Sequence, residues 1–261
     1  MAKHGGTSKA AIQMSFLEPM ECLLVFQLPE GPEWAYEIKL DGYRAQALCG
    51  EKEMKLLSRN GNDLGLRFPA MLSDLAAAIP NGSIVDGELV ALDPCGKPSF
   101  SLIQNSATSG ATFVFFAFDL LQLEGTDLTG KPLSERRGLL RNSLRQNSSV
   151  QLLESFQIPA DKMLALVREH GLEGVVAKKL SSTYEQGKRS GAWAKMRVEL
   201  PGSWSLAAIR LAHTVSTLYS WVSIAALSFS SAAASAPDSS RPAAAAFIQS
   251  SKNLRQRFVR L

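Results

Sequence analysis

A lysine within a short charged segment is the first place in the chain where chemistry is expected. The sequence reads EIKLDGYR from Glu37 to Arg44. Alternation along a strand would place Glu37, Lys39 and Asp41 on one face, and the following glycine turn would return Arg44 to their neighbourhood. An unprotonated lysine amine attacks phosphorus or carbonyl carbon, and desolvation or nearby cations supply that form. Since the flanking carboxylates oppose it, bound metal and arginines would have to dominate an occupied site.

The same segment has an ordinary structural interpretation. Mixed charges on one face of a strand usually mark a solvated surface rather than a site. Taken alone, the segment does not choose between a nucleophilic lysine and an exposed strand. The choice depends on whether further charged and aromatic residues follow in a matching order.

Such residues do follow. Lys39-x-Asp41-Gly42-x-Arg44 resembles the KxDGxR motif of covalent nucleotidyltransferases, which include ATP-dependent DNA ligases, RNA ligases and mRNA capping enzymes. The family's companion motifs are matched in order by SRNG (58–61), DGEL (86–89), FDL (118–120), EGVVAK (173–178) and WAKMR (193–197). The wording of the first motif, WAYEIKLDGYR, is most similar to the ligase domain of bacterial end-joining ATP-dependent DNA ligases.

The resemblance implies a role for each matching residue. Lys39 is the expected nucleophile, which would form a lysyl-AMP intermediate with ATP. The expected nucleotide-binding residues are Glu37, Arg44, Arg59, Glu88, Phe118, Lys178, Lys195 and Arg197. Glu88 and Glu173 are expected to bind Mg²⁺ or Mn²⁺, because hard cations prefer carboxylate oxygens.

Several of these roles have a physical basis. Arg59 would hold a phosphate through charge-assisted hydrogen bonds, and Phe118 would cover one face of adenine. Without the resemblance, a phenylalanine within FVFFAFDLL would be assigned to the core. Lys195 and Arg197 lie two apart on a strand, so one face would present both to a triphosphate. The family often has a second lysine at the position of Arg197, and a planar guanidinium replaces that point charge here.

The elements that must position these residues mix short strands with helices and lack a βαβ rhythm, which predicts an α+β fold. The resemblance implies a nucleotidyltransferase domain of antiparallel sheets flanked by helices. We predict strands at 34–40, 43–48, 55–58, 83–92, 113–123, 174–180 and 192–198, and helices at 67–79, 132–144 and 160–170. The first strand is expected to be half-buried and the first three to form an antiparallel meander, with 113–123 as a central strand.

The spacing of Glu173 and Lys178 conflicts with an unbroken strand, on which residues five apart face opposite ways. Two arrangements would bring both into one site. Either Glu173 precedes the strand, or a bulge near Gly174 re-aims its side chain.

Composition sets the limits of this interpretation. The chain has 261 residues, of which 46% are hydrophobic, which excludes a disordered or fibrous protein. Residues 201–261 contain six lysines and arginines and one acidic residue, whereas residues 1–200 contain 22 and 23. The formal net charge of +4 therefore comes from the tail, and it is not evidence for DNA binding by the preceding residues.

The change of composition near residue 200 predicts three regions. Residues 1–14 are expected to be a flexible N-terminus and residues 15–198 the adenylation domain. Residues 199–261 are an irregular Ala/Ser-rich tail where the family has an OB-fold domain. When 203–218 are back-translated and read two letters later with permitted third letters, they give LVVGGYTPGTHGFDAL, which resembles OB-domain sequence of these ligases. We interpret the tail as an out-of-frame remnant of that domain.

Three cysteines without CxxC spacing and an N-terminus unlike a cleavable leader favour a reduced, cytoplasmic protein. The resemblance implies a bacterial protein associated with the nucleoid. The uncharged stretch 211–237 is too polar for a good spanning helix, so no membrane is expected, and a tail-anchored protein is a remote alternative.

The expected function is that of an ATP-dependent DNA ligase that seals nicks in DNA during repair or end joining, impaired by loss of the OB domain. The expected partners are ATP, nicked double-stranded DNA and end-joining repair proteins. Two alternatives stay open: an RNA ligase or capping-type nucleotidyltransferase, and a catalytically inactive ligase fragment that binds DNA.

Overall fold

The computed structural model describes residues 14–94, 96, 98–105 and 110–198. Apart from Gly96, these all belong to one of the two compact units into which the chain divides. The expected flexible N-terminus, except Met14, the tail 199–261 and the stretch 211–237 lie outside the described residues. Within the described part of the chain, no helix is long and apolar enough to span a membrane.

Ten strands and four helices make up the described fold. In chain order they are β1 (Leu23–Leu24), β2 (Trp34–Ile38), β3 (Tyr43–Cys49), β4 (Met54–Ser58), α1 (Pro69–Ala78), β5 (Ser83–Leu92), α2 (Phe100–Gln104), β6 (Thr112–Leu123), β7 (Thr126–Asp127), α3 (Leu133–Ser143), β8 (Val150–Leu152), α4 (Ala160–Glu169), β9 (Gly174–Lys179) and β10 (Trp193–Arg197). The α+β class and all ten predicted elements are confirmed within one to two residues at most ends. The short elements β1, α2, β7 and β8 were not predicted.

The strands form two sheets. The four-stranded sheet has the order β1-β10-β9-β2, and the six-stranded sheet follows the path β4-β3-β5-β6-β7 with β8 paired to β6. Most pairs are antiparallel, but β1 runs parallel to β10 and β8 runs parallel to β6. The long strand β6 pairs on both sides and is buried from Val114 to Leu121, as expected of a central strand.

The predicted meander is wrong for its first strand. Strands β3 and β4 do pair, but β2 belongs to the other sheet. The reason lies at Gly42, where a side-chain carbon would overlap the carbonyl oxygen of Leu89 on β5. This close approach leads the chain across to the six-stranded sheet, and only glycine allows it without displacing the backbone.

The predicted half-burial of β2 is also wrong. Ala35, Tyr36, Glu37 and Ile38 are all buried, because Tyr36 forms a bridge to Phe156 on one side while ion pairs enclose the Glu37 carboxylate. The strand ends at Ile38, so Lys39 lies just beyond it and the exposed Asp41 does not share its face.

One apolar cluster covers one face of the six-stranded sheet. On β3 it takes Ala45 and Ala47, and on β5 it takes Val85 and Leu89, which pack with residues of α1, α2 and α3. Because side chains alternate along a strand, the residues between them point to the opposite face. That opposite face borders the candidate site.

Candidate active site

A cavity of about 360 Å³ lies between the two sheets. Strands β2, β9 and β10 line it from the four-stranded sheet, and β3, β5 and β6 line it from the other. Eight of the residues predicted from sequence are among its lining residues: Glu37, Lys39, Arg44, Arg59, Glu88, Phe118, Lys178 and Lys195. The structure therefore gathers into one place residues that span most of the described chain.

Lys39 stands at the edge of this cavity, immediately after β2. Its backbone N–H donates to the carbonyl oxygen of Gly174 at 2.9 Å, and its ammonium forms an ion pair with Glu173. Glu173 directly precedes β9, so the first of the two predicted arrangements is confirmed and no bulge is needed. The carboxylate paired with the lysine is thus Glu173, and not the neighbours in sequence, Glu37 and Asp41.

Arg44 is held rigidly on the opposite wall. Its Nε and Nη2 donate to the two carboxylate oxygens of Asp86 at 3.2 and 2.7 Å, and its Nη1 donates to the carbonyl of Met20 at 2.6 Å. The hydroxyl of Tyr184 also donates to Asp86 Oδ2, at 2.7 Å. Burial disfavours the charged guanidinium, but the Asp86 carboxylate outweighs it and raises the pKa of Arg44. The guanidinium is therefore a permanent, fixed cation.

Phe118 enters the cavity from a β-bulge. On β6, Ala117 pairs with Gly87 and Asp119 pairs with Asp86, which leaves Phe118 as the extra residue. Bulges re-aim side chains in this way beside functional sites. The Lys178 ammonium lies 4.0 Å from the centroid of the Phe118 ring and 4.2 Å from that of Trp193, in cation–π geometry.

Glu37 forms ion pairs with two cations inside this wall, and only that with Arg137 is also a hydrogen bond. Arg137 Nη1 is 2.6 Å from Glu37 Oε1, and Lys178 Nζ is 2.7 Å from Glu37 Oε2. The carboxylate is only 2% exposed. Burial lowers the pKa of Lys178, and the Glu37 charge opposes that shift.

At the mouth of the cavity, two arginines share one carboxylate. Arg59 Nη2 lies 3.0 Å from Glu21 Oε1, and Arg189 pairs with the other oxygen of the same carboxylate. The hydrogen bond from Arg189, followed by the charges of Arg189 and Arg59, lowers the pKa of Glu21. Two arginines at this mouth could hold a phosphate in place of the carboxylate.

Lys195 and Arg197 differ in their position relative to the cavity. Lys195 lines the cavity, whereas Arg197 is 69% exposed, lies outside the lining and has its Nε 3.6 Å from Glu173 Oε1. Both residues lie within β10, opposite Val176 and Gly174 of β9, as expected of residues on one strand face. They differ in that Lys195 borders the cavity and Arg197 does not.

The match to known proteins decides the family. The profile described as the ATP dependent DNA ligase domain matches residues 22–197. The chain belongs to this ligase domain family. A relative named multifunctional non-homologous end joining protein LigD, from Pseudomonas aeruginosa, is 37% identical over 203 residues, which cover 76% of this chain and 24% of that protein. The chain therefore spans about a quarter of the length of that curated relative.

Two further comparisons agree. The SPbeta prophage-derived DNA ligase-like protein LigB of Bacillus subtilis is 30% identical over 184 residues, covering 69% of this chain and 67% of that protein. A solved structure of mycobacterial DNA ligase D complexed with ATP and MES superposes with a TM-score of 0.59 at 35% identity, covering 69% of this chain and 60% of the other. The predicted family and nucleotidyltransferase fold are thus confirmed.

The two carboxylates of this ligase domain that were predicted to bind metal suit a hard cation. Glu173 Oε2 is buried and has no hydrogen-bond partner. Burial raises the pKa of Glu88 to about 8, against the charges of Arg44 and Lys39, and the charges of Asp86 and then Glu173 add to the increase. Among the described residues, no group of three or more His, Cys, Asp or Glu side chains is placed to hold a metal. Mg²⁺ needs only one or two carboxylates when phosphate and water oxygens complete its shell.

Sequence reasoning missed several residues of the candidate site. Asp86 was quoted within a motif but given no role, and Tyr184, Arg189 and Glu21 had no distinguishing pattern. The position of Arg137 in the sequence does indicate a buried, paired arginine. It lies four residues after Leu133 and three before Leu140, within the buried stripe of α3, and an arginine on a buried helix face requires acidic or carbonyl partners.

Proposed function

We propose that residues 15–198 form an adenylation domain in which Lys39 takes AMP from ATP and passes it to the 5′-phosphate of a DNA nick. The observation that carries the proposal is the position of Lys39. Its ammonium is paired with Glu173 at a cavity that also presents Arg44, Lys178 and Lys195. Family membership supports the use of ATP.

The proposed first step assigns each residue a task. The Lys39 ammonium would lose a proton to solvent, and the resulting amine would attack the α-phosphorus. A nitrogen–phosphorus bond forms, the bond to pyrophosphate breaks, and a second proton leaves the nitrogen. Arg44 and Lys178 would neutralise the charge of the phosphate, and Lys195 and Arg59 would hold the rest of the triphosphate near the mouth. Phe118 would stack on the base, while Glu37 accepts a hydrogen bond from its exocyclic amine.

A divalent cation fits the same step. Glu88 and Glu173 would hold Mg²⁺ or Mn²⁺, and the bound ion would supply charge neutralisation for the phosphates. The unpartnered oxygen of Glu173 supports this assignment. Arg197, 3.6 Å from the same carboxylate, would orient Glu173 from the solvent side.

The later steps and their setting are also proposals. We place the reaction in the bacterial cytoplasm at the nucleoid, with the end-joining repair proteins as partners, because the LigD relative is named for non-homologous end joining. The 3′-hydroxyl at the nick would displace AMP and seal the strand. The proposed preference for DNA over RNA is tested by comparing nicked DNA with nicked RNA as substrates. Faster sealing of RNA would favour the RNA ligase alternative.

We further propose that residues 199–261 are an out-of-frame remnant of an OB-fold domain and that nick sealing is impaired by its loss. The proposal is supported by the offset reading of 203–218 and by the change of composition at the same place. Sequencing the coding DNA tests it. If the codons used for 203–218 do not spell the OB-like peptide in the offset frame, the interpretation is wrong.

The central test is incubation of the full chain with ATP and Mg²⁺, followed by peptide mass spectrometry. AMP is expected on Lys39 and is expected to be absent from Lys39→Ala. The matched control is Lys179→Ala, which removes an exposed lysine at the end of β9 and is expected to retain the adduct. AMP on another residue would refute the mechanism, and no adduct together with binding of nicked DNA would favour the inactive DNA-binding fragment.

A further inference from the structure

A buried arginine of α3 joins three segments of the cavity wall. Arg137 Nη1 donates to Glu37 Oε1 at 2.6 Å and to the carbonyl of Phe118 at 2.9 Å, and its Nη2 donates to the carbonyl of Leu153 at 2.6 Å. Glu37, Phe118 and Leu153 all line the cavity. They lie on β2, on β6 and just after β8. Backbone pairing already joins β8 to β6, and the Leu153 N–H donates to the Ala117 carbonyl at 2.8 Å, so the link that Arg137 adds is the one to Glu37 on β2.

We propose that Arg137 is a positioning residue that holds the base-recognising wall and thereby sets the nucleotide selectivity of the site. The inference rests on the proposed function. Arg137 does not line the cavity itself, so it would act through the Glu37 carboxylate and the backbone beside Phe118.

The chemistry of Glu37 makes its orientation decisive. An ionised carboxylate only accepts hydrogen bonds, so it pairs with the exocyclic amine of adenine and repels the carbonyl oxygen found there in hypoxanthine. The two carboxylate oxygens of Glu37 form ion pairs with different cations, Oε1 with Arg137 and Oε2 with Lys178. With Arg137 removed, Lys178 alone would attract the carboxylate toward Phe118 and Trp193, between whose rings its ammonium lies. The oxygen that faces the base would then lose its fixed direction.

The structure offers a matched set of variants. Arg137→Gln removes the charge and the forked donor, whereas Arg137→Lys retains the charge but cannot reach three acceptors at once. Arg141→Gln is the control, because Arg141 lies one turn further along the same helix, is 58% exposed and pairs with Glu154. Comparing these variants separates the loss of a particular contact from a general effect on α3.

The experiment measures equilibrium binding of ATP and of inosine triphosphate to the full chain by calorimetry, with thermal unfolding of each unliganded variant. Arg137→Gln is expected to weaken ATP binding about tenfold or more, because Glu37 would no longer be held to accept the charge-assisted hydrogen bond from the adenine amine. Binding of inosine triphosphate is expected to change little, so the preference for ATP decreases. Arg137→Lys is expected to give an intermediate preference, and Arg141→Gln an unchanged one. In a Glu37→Gln background, Arg137→Gln is expected to change the preference no further.

Equal weakening of both nucleotides by Arg137→Gln, or an unchanged preference, would overturn the inference and leave Arg137 with a purely structural role. If Arg137→Gln does not fold, the preference of Arg137→Lys relative to the unaltered chain decides the matter. Failure of the proposed function is a separate result, seen as absence of ATP binding and of the Lys39 adduct in the unaltered chain.

Discussion

The two faces of the six-stranded sheet differ in what they hold. One face carries the apolar cluster, which includes Phe115 and Leu89 and packs with residues of α1, α2 and α3. The other presents Arg44, Glu88 and Phe118 to the cavity, opposite the four-stranded sheet. Neighbouring residues on β3, β5 and β6 therefore serve different purposes. Because side chains alternate along each strand, the same sheet carries an apolar core on one face and a charged site on the other.

The sharpest test of this division compares two phenylalanines of β6. Phe115→Ala removes a fully buried ring from the core and is expected to lower the free energy of unfolding by about 3–5 kcal/mol. Phe118→Ala opens onto an existing cavity, so we expect a smaller loss of about 1–2 kcal/mol. ATP binding should show the opposite order, because a stacked aromatic ring contributes about 1–3 kcal/mol per base. Urea unfolding and calorimetry measure the two quantities, and equal stability losses would contradict the division.

The second test concerns adjacent arginines of α3. Arg136 is fully buried and donates from Nε and Nη2 to both oxygens of Asp119 at 2.8 Å, away from the cavity lining. Arg136→Gln leaves a buried carboxylate without its cation, and is expected to cost about 3–5 kcal/mol of unfolding free energy. The folded fraction of Arg136→Gln should keep the same preference for ATP over inosine triphosphate as the unaltered chain. A changed preference for ATP over inosine triphosphate would show that the Asp119 pair belongs to the site.

The same arginines show how far sequence reasoning reaches. The spacing of Leu133, Arg136, Arg137 and Leu140 at i, i+3, i+4 and i+7 predicts a buried face on α3, but it does not identify the partners. Those partners, Glu37 and Asp119, are 100 and 17 residues away, and only the fold brings them near. The chain positions of the elements follow from local patterns, and the matched motifs include the eight predicted residues that line the cavity. The pairing of β2 with β9, the burial of Glu37 and the exposure of Arg197 depend on segments distant in sequence, which no local pattern records.

A smaller effect is expected from the pH dependence of stability. Burial raises the pKa of Glu88 to about 8, from an ordinary value of 4.5. The folded chain thus retains this proton to higher pH than the unfolded chain, so the contribution to stability is complete below about pH 4.5 and is lost as the pH rises toward 8. In metal-free buffer, Glu88→Gln should unfold at a higher temperature than the unaltered chain at pH 8.5, by roughly 2–4 °C for each 1 kcal/mol recovered. The difference should be smaller at pH 5, and a difference independent of pH would contradict the assignment.

The smallest effect separates two cations that the sequence places on one face of β10. Arg197→Ala is expected to change the unfolding free energy by less than about 0.5 kcal/mol, because its ion pair with Glu173 is largely exposed. ATP binding should weaken less than about threefold, whereas Lys195→Ala, which removes a cation from the cavity lining, should weaken it about tenfold through loss of a phosphate contact. Calorimetry on both variants at one salt concentration makes the comparison. Equal losses would show that Arg197 turns into the cavity when the triphosphate binds, because in its place beside Glu173 it acts on the site only through that carboxylate, at 3.6 Å, and an indirect effect should be smaller than loss of a phosphate contact.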